Sequence, residues 1–478
     1  MTDAAPLKLF NSLTRQLEPF QPVHPGEARV YSCGPTVYNY QHIGNMRAYI
    51  FADVLGRTLS FKGYALKHVI NITDVGHLTS DADAGDDKME KAAAAANKSA
   101  WDIARHYQEV FEADLARLNV RKPAHPRATE YVEQMIAWGE AIAAKHCYQL
   151  EGGLYFDVST VPDYGRLARS ATDEGESRIE TVEGKRHPAD FAIWRTTPPG
   201  ETRQMEWDSP WGRGAPGWHI ECSVMSAQLL GQPFDIHTGG IDHREIHHPN
   251  EIAQNQAHAC TADSGARIWM HNNFLVDRRG KMSKSSGEFL VLQTLVDKGY
   301  HPLAYRLMCL QAHYRSELEF SWEGLGASLT RLKRLVMLVG QLKERGMQAA
   351  ACGEKLQSFV ERFDAAISDD LNTPVALTVL DEALALKKID PGEKLAAVAA
   401  MDAVLGLGLL ERDRADLRIR PKTATITEAE IETALAARKE ARAAKDFSTS
   451  DALRDELAGQ RVEVMDGDPL GWEWKLGD

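Results

Sequence analysis

The stretch "IHHPNEIAQ", Ile246 to Gln254, sets two adjacent histidines ahead of a glutamate, with His247 and Glu251 four residues apart. That spacing puts an imidazole and a carboxylate on one face of a helix. Proline suits the first helical position and pushes the residue before it out of the α region, which predicts a helix starting at Pro249 with His248 just outside it. Two chemistries fit. As the third helical residue, Glu251 reaches back to cap the helix entrance; alternatively, His247 and Glu251 are half of a metal site. A closed zinc site needs further donors, and widely separated cytosolic thiols supply them. Cys33 ends a predicted strand and Cys222 lies in "GWHIECS", whereas Cys147, Cys260, Cys309 and Cys352 sit in helical or apolar surroundings. Each thiol taken alone also fits a buried structural cysteine.

Two further stretches suit phosphate chemistry. In "QHIGNMRA", His42, Gly44 and Asn45 fall between the first predicted strand and its helix. Gly44 lets a ligand approach the backbone, the helix N-terminus offers unpaired N–H groups, and His42 and Asn45 donate to phosphate oxygens. In "DRRGKMSKSSGEF", Gly280, Lys281, Met282, Ser283, Lys284 and Ser285 form a predicted loop after a strand. Its two lysines suit a triphosphate or the leaving pyrophosphate. Taken singly, the first stretch is also an ordinary capped helix start and the second an ordinary solvated loop.

The elements that must position these residues follow from periodicity. "ARVYSCGPT" reads as a strand ending at Gly34-Pro35, "GNMRAYIFADVLGRTLSFKG" as a helix ended by Gly63, and "LKHVINITD" as a second strand. A strand, helix, strand succession implies a parallel sheet with ligands beyond the carboxyl ends of its strands, just after Cys33. Residues 121–215 turn rich in Pro, Gly, Trp and Asp, as in an irregular or β-containing insertion. The rhythm resumes with "FDIHTGG" as a strand, "PNEIAQNQAHACT" as a helix and "RIWMHNNFLV" as a strand. The expected architecture is α/β: a Rossmann-like parallel-sheet catalytic domain split between 1–120 and 216–300 by a connective insertion at 121–215. A helical bundle at 301–420 follows, where Leu325, Leu329, Leu332, Val336 and Val339 repeat at helical spacing, and then a small mixed domain at 425–478.

Composition narrows the class. The chain has 478 residues, 44% hydrophobic and 26% charged, enough for about three domains with cores of their own. Unclustered cysteines and a start without a basic-then-apolar leader predict a reducing, cytoplasmic setting. No apolar run approaches the ~20 residues of a membrane span. A net charge of −13 opposes a wholesale polyanion binder, yet locally gathered basic residues still meet phosphate.

"HIGN" after the first strand and "KMSKS" after the last resemble the paired signatures of class I aminoacyl-tRNA synthetases. With "CGPTVYNYQHIGN", "NITDVG", "PRATEY", "DFAIWR", "SPWGRGAPGWHIECS" and "GGIDHREIHHPNEIAQ", residues near 30 to 290 resemble the cysteinyl-tRNA synthetase family, and the "DALRDEL" tail extends the likeness. The resemblance implies one zinc ion on Cys33, Cys222, His247 and Glu251. It also implies a cysteine pocket lined by Thr73 and Trp218 with His237 and Asp242 near it, and ATP with Mg²⁺ handled by His42, Asn45, Lys281 and Lys284 within the two signatures. L-cysteine, ATP and tRNA(Cys) are the implied partners of an expected monomer with no membrane role. Where the family usually has a second signature histidine stands Asn45, which donates through its amide but carries no positive charge, so ATP binding is expected to survive. Pro249 replaces the usual glutamate between "HH" and "NE", and "DHREI" a more apolar run.

For tRNA, Arg438, Lys439, Arg442 and Lys445 fall on one predicted helix, as an RNA-facing stripe or a merely solvated face. In the tail, Trp472 and Trp474 either stack on splayed anticodon bases, with Arg454, Asp451 and Asp466 hydrogen-bonding them, or close a small core. A cysteine ligase acting on an amino sugar and an inactive zinc-containing RNA-binding paralogue are the alternative readings. The long helical and tail region opposes the first, since a small acceptor needs no anticodon reader, and the two signature lysines oppose the second.

Overall fold

The computed structural model describes residues 5–75, 88–168, 183–261, 265–277, the backbone of 280–281, 290–345, 352–468 and 470–476. Its organising element is a four-stranded parallel sheet built from β1 (Glu27–Ser32), α1 (Ile43–Phe61), β2 (Ala65–Ile70), α2 (Trp218–Leu230), β3 (Phe234–Gly240), α3 (His247–Ala259) and β4 (Ala266–Asn272). The strand order is β4-β3-β1-β2. Register aligns Ser32 with Thr238 on one side and Ile70 on the other, and Gly240 with Asn272, so all four carboxyl ends meet at one edge. Both faces of the sheet are covered. Val30, Ile236, Ile268 and Met270 pack with Phe51, Leu55 and Leu59 of α1, while Tyr31, Val69 and Trp269 join the main core.

Helix α1 is buried along most of its length, including Met46, Tyr49, Ile50 and Val54. It starts at Ile43, one residue before the predicted stretch, so Gly44 and Asn45 belong to its first turn; His42 is the N-cap, its Nδ1 accepting the Asn45 N–H at 3.2 Å. Gly63, at φ +87°, ends it as expected. The guanidinium of Arg47, 2% exposed, donates to the carbonyls of Asn273, His313 and Ser316, fixing α1 to the end of β4 and to the bundle.

The inserted region holds an antiparallel sheet of Cys147–Leu150, Gly153–Phe156, Phe191–Thr196 and Gly214–Pro216, in chain order. It also holds a helix, Val132–His146, that the composition-based reading passes over. The buried Val132, Met135, Trp138, Gly139 and Ile142 follow helical spacing, a local signal hidden by the Pro- and Gly-rich segments downstream. The bundle comprises Pro302–Leu310, Trp322–Arg345, Glu354–Ser368, Thr373–Ala385 and Pro391–Leu405, with Leu325, Leu329, Leu332, Val336 and Val339 all buried. Among the described residues no helix is long and apolar enough to cross a membrane.

The C-terminal unit is two helices, Glu428–Ala443 and Phe447–Gly459, and a hairpin of Val462–Val464 with Trp472–Trp474. Here the stacking role expected of Trp472 is corrected: its ring is fully buried with Ile426, Ile431, Leu457, Val462 and Trp474. Its Nε1 donates to Glu432 at 2.7 Å, and the Arg418 guanidinium covers its face at 3.7 Å. A two-layer unit this small has few large side chains with which to exclude water, so it uses its tryptophans inward. Trp472→Phe is expected to cost this unit about 1–2 kcal/mol, from the lost hydrogen bond and the space left behind. Chemical unfolding followed by tryptophan fluorescence reads this, while tRNA affinity stays unchanged; weaker tRNA binding with intact stability would restore the stacking role.

Candidate metal centre and nucleotide site

The sheet's carboxyl edge gathers the candidate donors. Cys33 follows β1 directly, Cys222 lies in α2, and His247 and Glu251 lie in the first turns of α3. Contrary to expectation, α3 begins at His247 with Ile246 as its N-cap, and Pro249 is its third residue. Proline is tolerated there because the first-turn N–H groups have no intrahelical acceptor. Glu251 is therefore the fifth helical residue and does not cap the helix; with His247 one turn before it, it faces inward. Both are buried, at 0% and 2% exposure.

One ligand atom from each of Cys33, Cys222, His247 and Glu251 lies within 4.8 Å of all the others. His247 Nε2 is 3.4 Å from Cys222 Sγ and 3.1 Å from Glu251 Oε1, and Cys33 Sγ is 3.9 Å from the same oxygen. Metal–ligand bonds of zinc imply edges of roughly 3.3–3.8 Å between donors of a tetrahedron, so two thiols, an imidazole and a carboxylate stand at metal-binding separations. The His247 ring is oriented from behind, its Nδ1 2.9 Å from Nδ1 of His219.

The electrostatics match. A hydrogen bond from Cys33 brings the Cys222 thiol down to about 6, while burial and Cys222 push Cys33 well above the ordinary thiol range. Burial raises the Glu251 carboxyl, but His237 and His247 outweigh it and hold it down to about 2. Burial also disfavours a charged His247, yet Cys222 and Glu251 carry it up to about 10. A proton on His247 would balance these anions, as a cation bound among the same donors would in its place.

Around the cluster, Thr73 is buried and donates to Glu221 Oε2 at 2.8 Å, and Asn71 bonds the Gly34 N–H at 2.8 Å and Thr73 at 3.3 Å. The half-buried Trp218 opens α2 with its ring 4.4 Å from that of His247. His237 binds Glu251 Oε2 at 2.8 Å, and Asp242 is exposed in the turn after β3. Thr73, Trp218 and His237 therefore gather at the donor cluster. Sequence reading missed His219, His248, His271, Asn71 and Glu221. All lie inside or beside the quoted motifs, but their pairing depends on strands far apart in the chain.

At the other side of β1, His42 and Asn45 occupy the N-terminus of α1. A Cβ on Gly44 would come within 2.9 Å of the His42 ring, so glycine is what lets the imidazole lie against the helix entrance. Lys281 pairs through its backbone with Val276; Met282, Ser283, Lys284 and Ser285 lie outside the described residues. In the C-terminal unit, Arg438 is buried and bound to Asp466 at 2.6 Å, and Arg442 reaches the same carboxylate at 2.9 Å, so the basic stripe is partly neutralised within the protein. Arg454 and Asp451 are about half exposed or more and 3.8 Å apart. The exposed aromatic ring of this unit is Phe447, at 62% exposure.

A parallel sheet with its donor cluster at the carboxyl edge and a histidine-capped helix beside it is the frame of a class I tRNA synthetase. Residues 19–330 match the family described as the class I (C) tRNA synthetase catalytic domain, and residues 427–469 the cysteinyl-tRNA ligase anticodon-binding domain. The fold resembles that of Mycobacterium tuberculosis methionyl-tRNA synthetase bound by methionyl-adenylate, at a TM-score of 0.54 and 14% identity over 84% of this chain and 97% of that one. Within that class the chain belongs to the cysteine–tRNA ligase family. It is 76% identical to Cysteine–tRNA ligase of Novosphingobium aromaticivorans, across 99% of this chain and 98% of that protein. It is 54% identical to that of Zymomonas mobilis, across 99% and 98%.

Proposed function

We propose that this protein attaches L-cysteine to tRNA(Cys) at the expense of ATP, through a cysteinyl-adenylate. The donor cluster of Cys33, Cys222, His247 and Glu251 at the sheet edge is the observation that carries the specificity for cysteine. Zinc held there would supply a borderline-soft centre that prefers the substrate thiolate to a serine hydroxyl. Discrimination of about 10⁴-fold corresponds to roughly 5.5 kcal/mol, more than one apolar contact supplies. Thr73 and Trp218 bound the amino-acid pocket, and His237 steadies Glu251.

The cysteine carboxylate attacks the α-phosphorus of Mg²⁺-ATP, forming a new P–O bond as the bond to pyrophosphate breaks. His42 and Asn45 at the α1 N-terminus hold phosphate oxygens, Gly44 lets them approach the backbone, and Lys281 and Lys284 offset the charge gathering on pyrophosphate, with Met282, Ser283 and Ser285 completing the second ATP-binding signature. A terminal ribose hydroxyl of tRNA then attacks the adenylate carbonyl and AMP departs. Positioning does the work, without a protein nucleophile. Free cysteines throughout the described residues suit a reducing cytoplasm, and the reading takes the protein as a monomer. The test is ATP–pyrophosphate exchange with zinc-loaded protein: exchange that requires cysteine and ignores serine is expected, and its absence removes the reading. The match of residues 427–469 to an anticodon-binding domain weighs against an amino-sugar acceptor.

For anticodon recognition, Phe447 takes the stacking role once assigned to Trp472, beside Arg454, Asp451 and Asp466. A stacked base contributes roughly 1–3 kcal/mol, so Phe447→Ala is expected to raise KM for tRNA about tenfold while leaving ATP–pyrophosphate exchange unchanged. Steady-state aminoacylation checks this; an unaltered KM places the anticodon elsewhere.

A further inference from the structure

The short helix Leu292–Asp297, the linker after the bundle and the C-terminal hairpin are drawn together far from the metal centre. The Lys422 N–H donates to the Asp297 carbonyl and the Lys475 N–H to the Arg461 carbonyl, each at 2.8 Å. Gly299, at φ +92°, permits the approach, since a Cβ there would come within 2.6 Å of the Leu476 side chain and 2.9 Å of Pro421. Between these segments lies a cleft of about 460 Å³ whose wall includes Lys298, Thr423, Thr425, Arg461, Trp474 and Lys475. That volume suits a ligand, for which ~300–1,000 Å³ is usual. Trp474 is 6% exposed, and its Nε1–H has no acceptor among the described residues. Lys298 is held over the Trp322 ring, 4.5 Å from its centre.

Charge decides what the cleft can hold. Asp297 also lines it, but Lys422 stands 3.6 Å from that carboxylate and Gln293 donates to it at 2.6 Å. Lys298 and Arg461 follow the ends of the helices Leu292–Asp297 and Phe447–Gly459, whose carbonyl ends count for at most about half a negative charge each. Three cations against those two ends leave an excess of about two positive charges, on a chain whose net charge is −13. Arg461 and Lys475 are exposed and enter no ion pair among the described residues. We propose that the cleft receives backbone phosphates of the tRNA anticodon stem. The inference rests on the tRNA reading given above and deepens it. Lys298 lies within the part of the chain that matches the catalytic domain and Arg461 within the part that matches the anticodon-binding domain, so an RNA engaged by both spans this seam. The helix Phe447–Gly459 has 13 residues and is therefore about 20 Å long, with Phe447 at one end and the cleft at the other, the reach of a few nucleotides along a strand. Ammonium, guanidinium, hydroxyl and indole groups all donate hydrogen bonds, which suits phosphate oxygens and fixes the register of an RNA without reading its bases.

Full-length protein carrying both Arg461→Gln and Lys475→Gln tests this, since neither residue takes part in the chemistry above. Its Kd for tRNA(Cys) should rise about tenfold at physiological salt, and the slope of log Kd against log salt should fall by about 1.5, as two lost phosphate contacts require. The same factor should hold for a tRNA whose anticodon bases are replaced. Cysteine-dependent ATP–pyrophosphate exchange and chemical unfolding should stay unchanged. Trp474→Phe, which removes the N–H and keeps an aromatic ring, should weaken tRNA binding about threefold. An unaltered Kd and salt slope in the double variant overturn the proposal, as does a loss confined to tRNA with its own anticodon, which would make the cleft a reader of bases. Absence of both exchange and tRNA binding in the unaltered protein would fell the reading above. An unaltered protein that binds and charges tRNA, matched in both by the double variant, defeats this proposal alone.

Discussion

Cys222→Ser protein is expected to lose metal and cysteine activation together. The Cys222 thiol is 2% exposed, 3.4 Å from His247 Nε2, and lowered to about 6 by its neighbours, so it stands ready as a thiolate ligand. A serine hydroxyl in its place stays protonated and is a poorer partner for a borderline-soft ion. Losing even an outer-shell partner of a metal ligand costs 10–100-fold, so at least about 100-fold is expected here in kcat/KM for cysteine. Metal analysis of the variant in a chelator-buffered solution that fills the site of the unaltered protein should show that site emptied. ATP affinity should hold, since His42 and Asn45 reach the site from α1 rather than from α2. Unchanged metal content with lost activation would contradict the ligand assignment.

Arg306→Leu is expected to give the largest loss of stability, about 3–5 kcal/mol at neutral pH, as for other broken buried ion pairs. Arg306 is fully buried and donates to Asp53 Oδ2 and to the Leu405 carbonyl, both at 2.7 Å, and to the Leu118 carbonyl at 3.1 Å. It joins α1 to the bundle and to the chain after Arg117. Leucine removes a charge that compensates the buried Asp53, leaving Arg57 at 2.7 Å and Arg121 at 3.7 Å, and takes the Arg306 donor from the Leu405 and Leu118 carbonyls. Burial raises the Asp53 carboxyl, but Arg306 and Arg57 outweigh it and depress it below the ordinary value. A depressed folded-state pKa contributes stability that is present above the unfolded value of about 3.9 and is lost as pH falls through the folded one. The gap between variant and parent should therefore be full at pH 7 and narrow in strong acid. Chemical denaturation followed by circular dichroism at both pH values checks this, and a loss below about 1 kcal/mol at pH 7 would mean that Arg57 and Arg121 suffice.

Much of the frame was legible in the chain itself. Apolar runs of strand length and a helix of 3.6-residue period give the βαβ start, and a hydrophobic face with few breakers gives the bundle, because backbone periodicity and burial are encoded locally. The His247 and Glu251 pair was legible for the same reason: four residues is a turn of helix. Its exact setting was not, since the rule that proline opens a helix competes with the tolerance of the whole first turn for a missing N–H, and packing at the sheet edge decided between them.

What only the tertiary structure decided is which side chains meet. Cys33 and His248 stand 215 residues apart in sequence and 3.3 Å apart in space, because β1 and β3 pair in parallel and end together. The same closure buries Trp472 in a core rather than leaving it for a base, leaves Phe447 outside, and stacks a second layer of imidazoles behind the first. Local sequence dictates the shape of each element, whereas burial and ligand geometry arise where elements remote in sequence converge, and no local pattern carries that information.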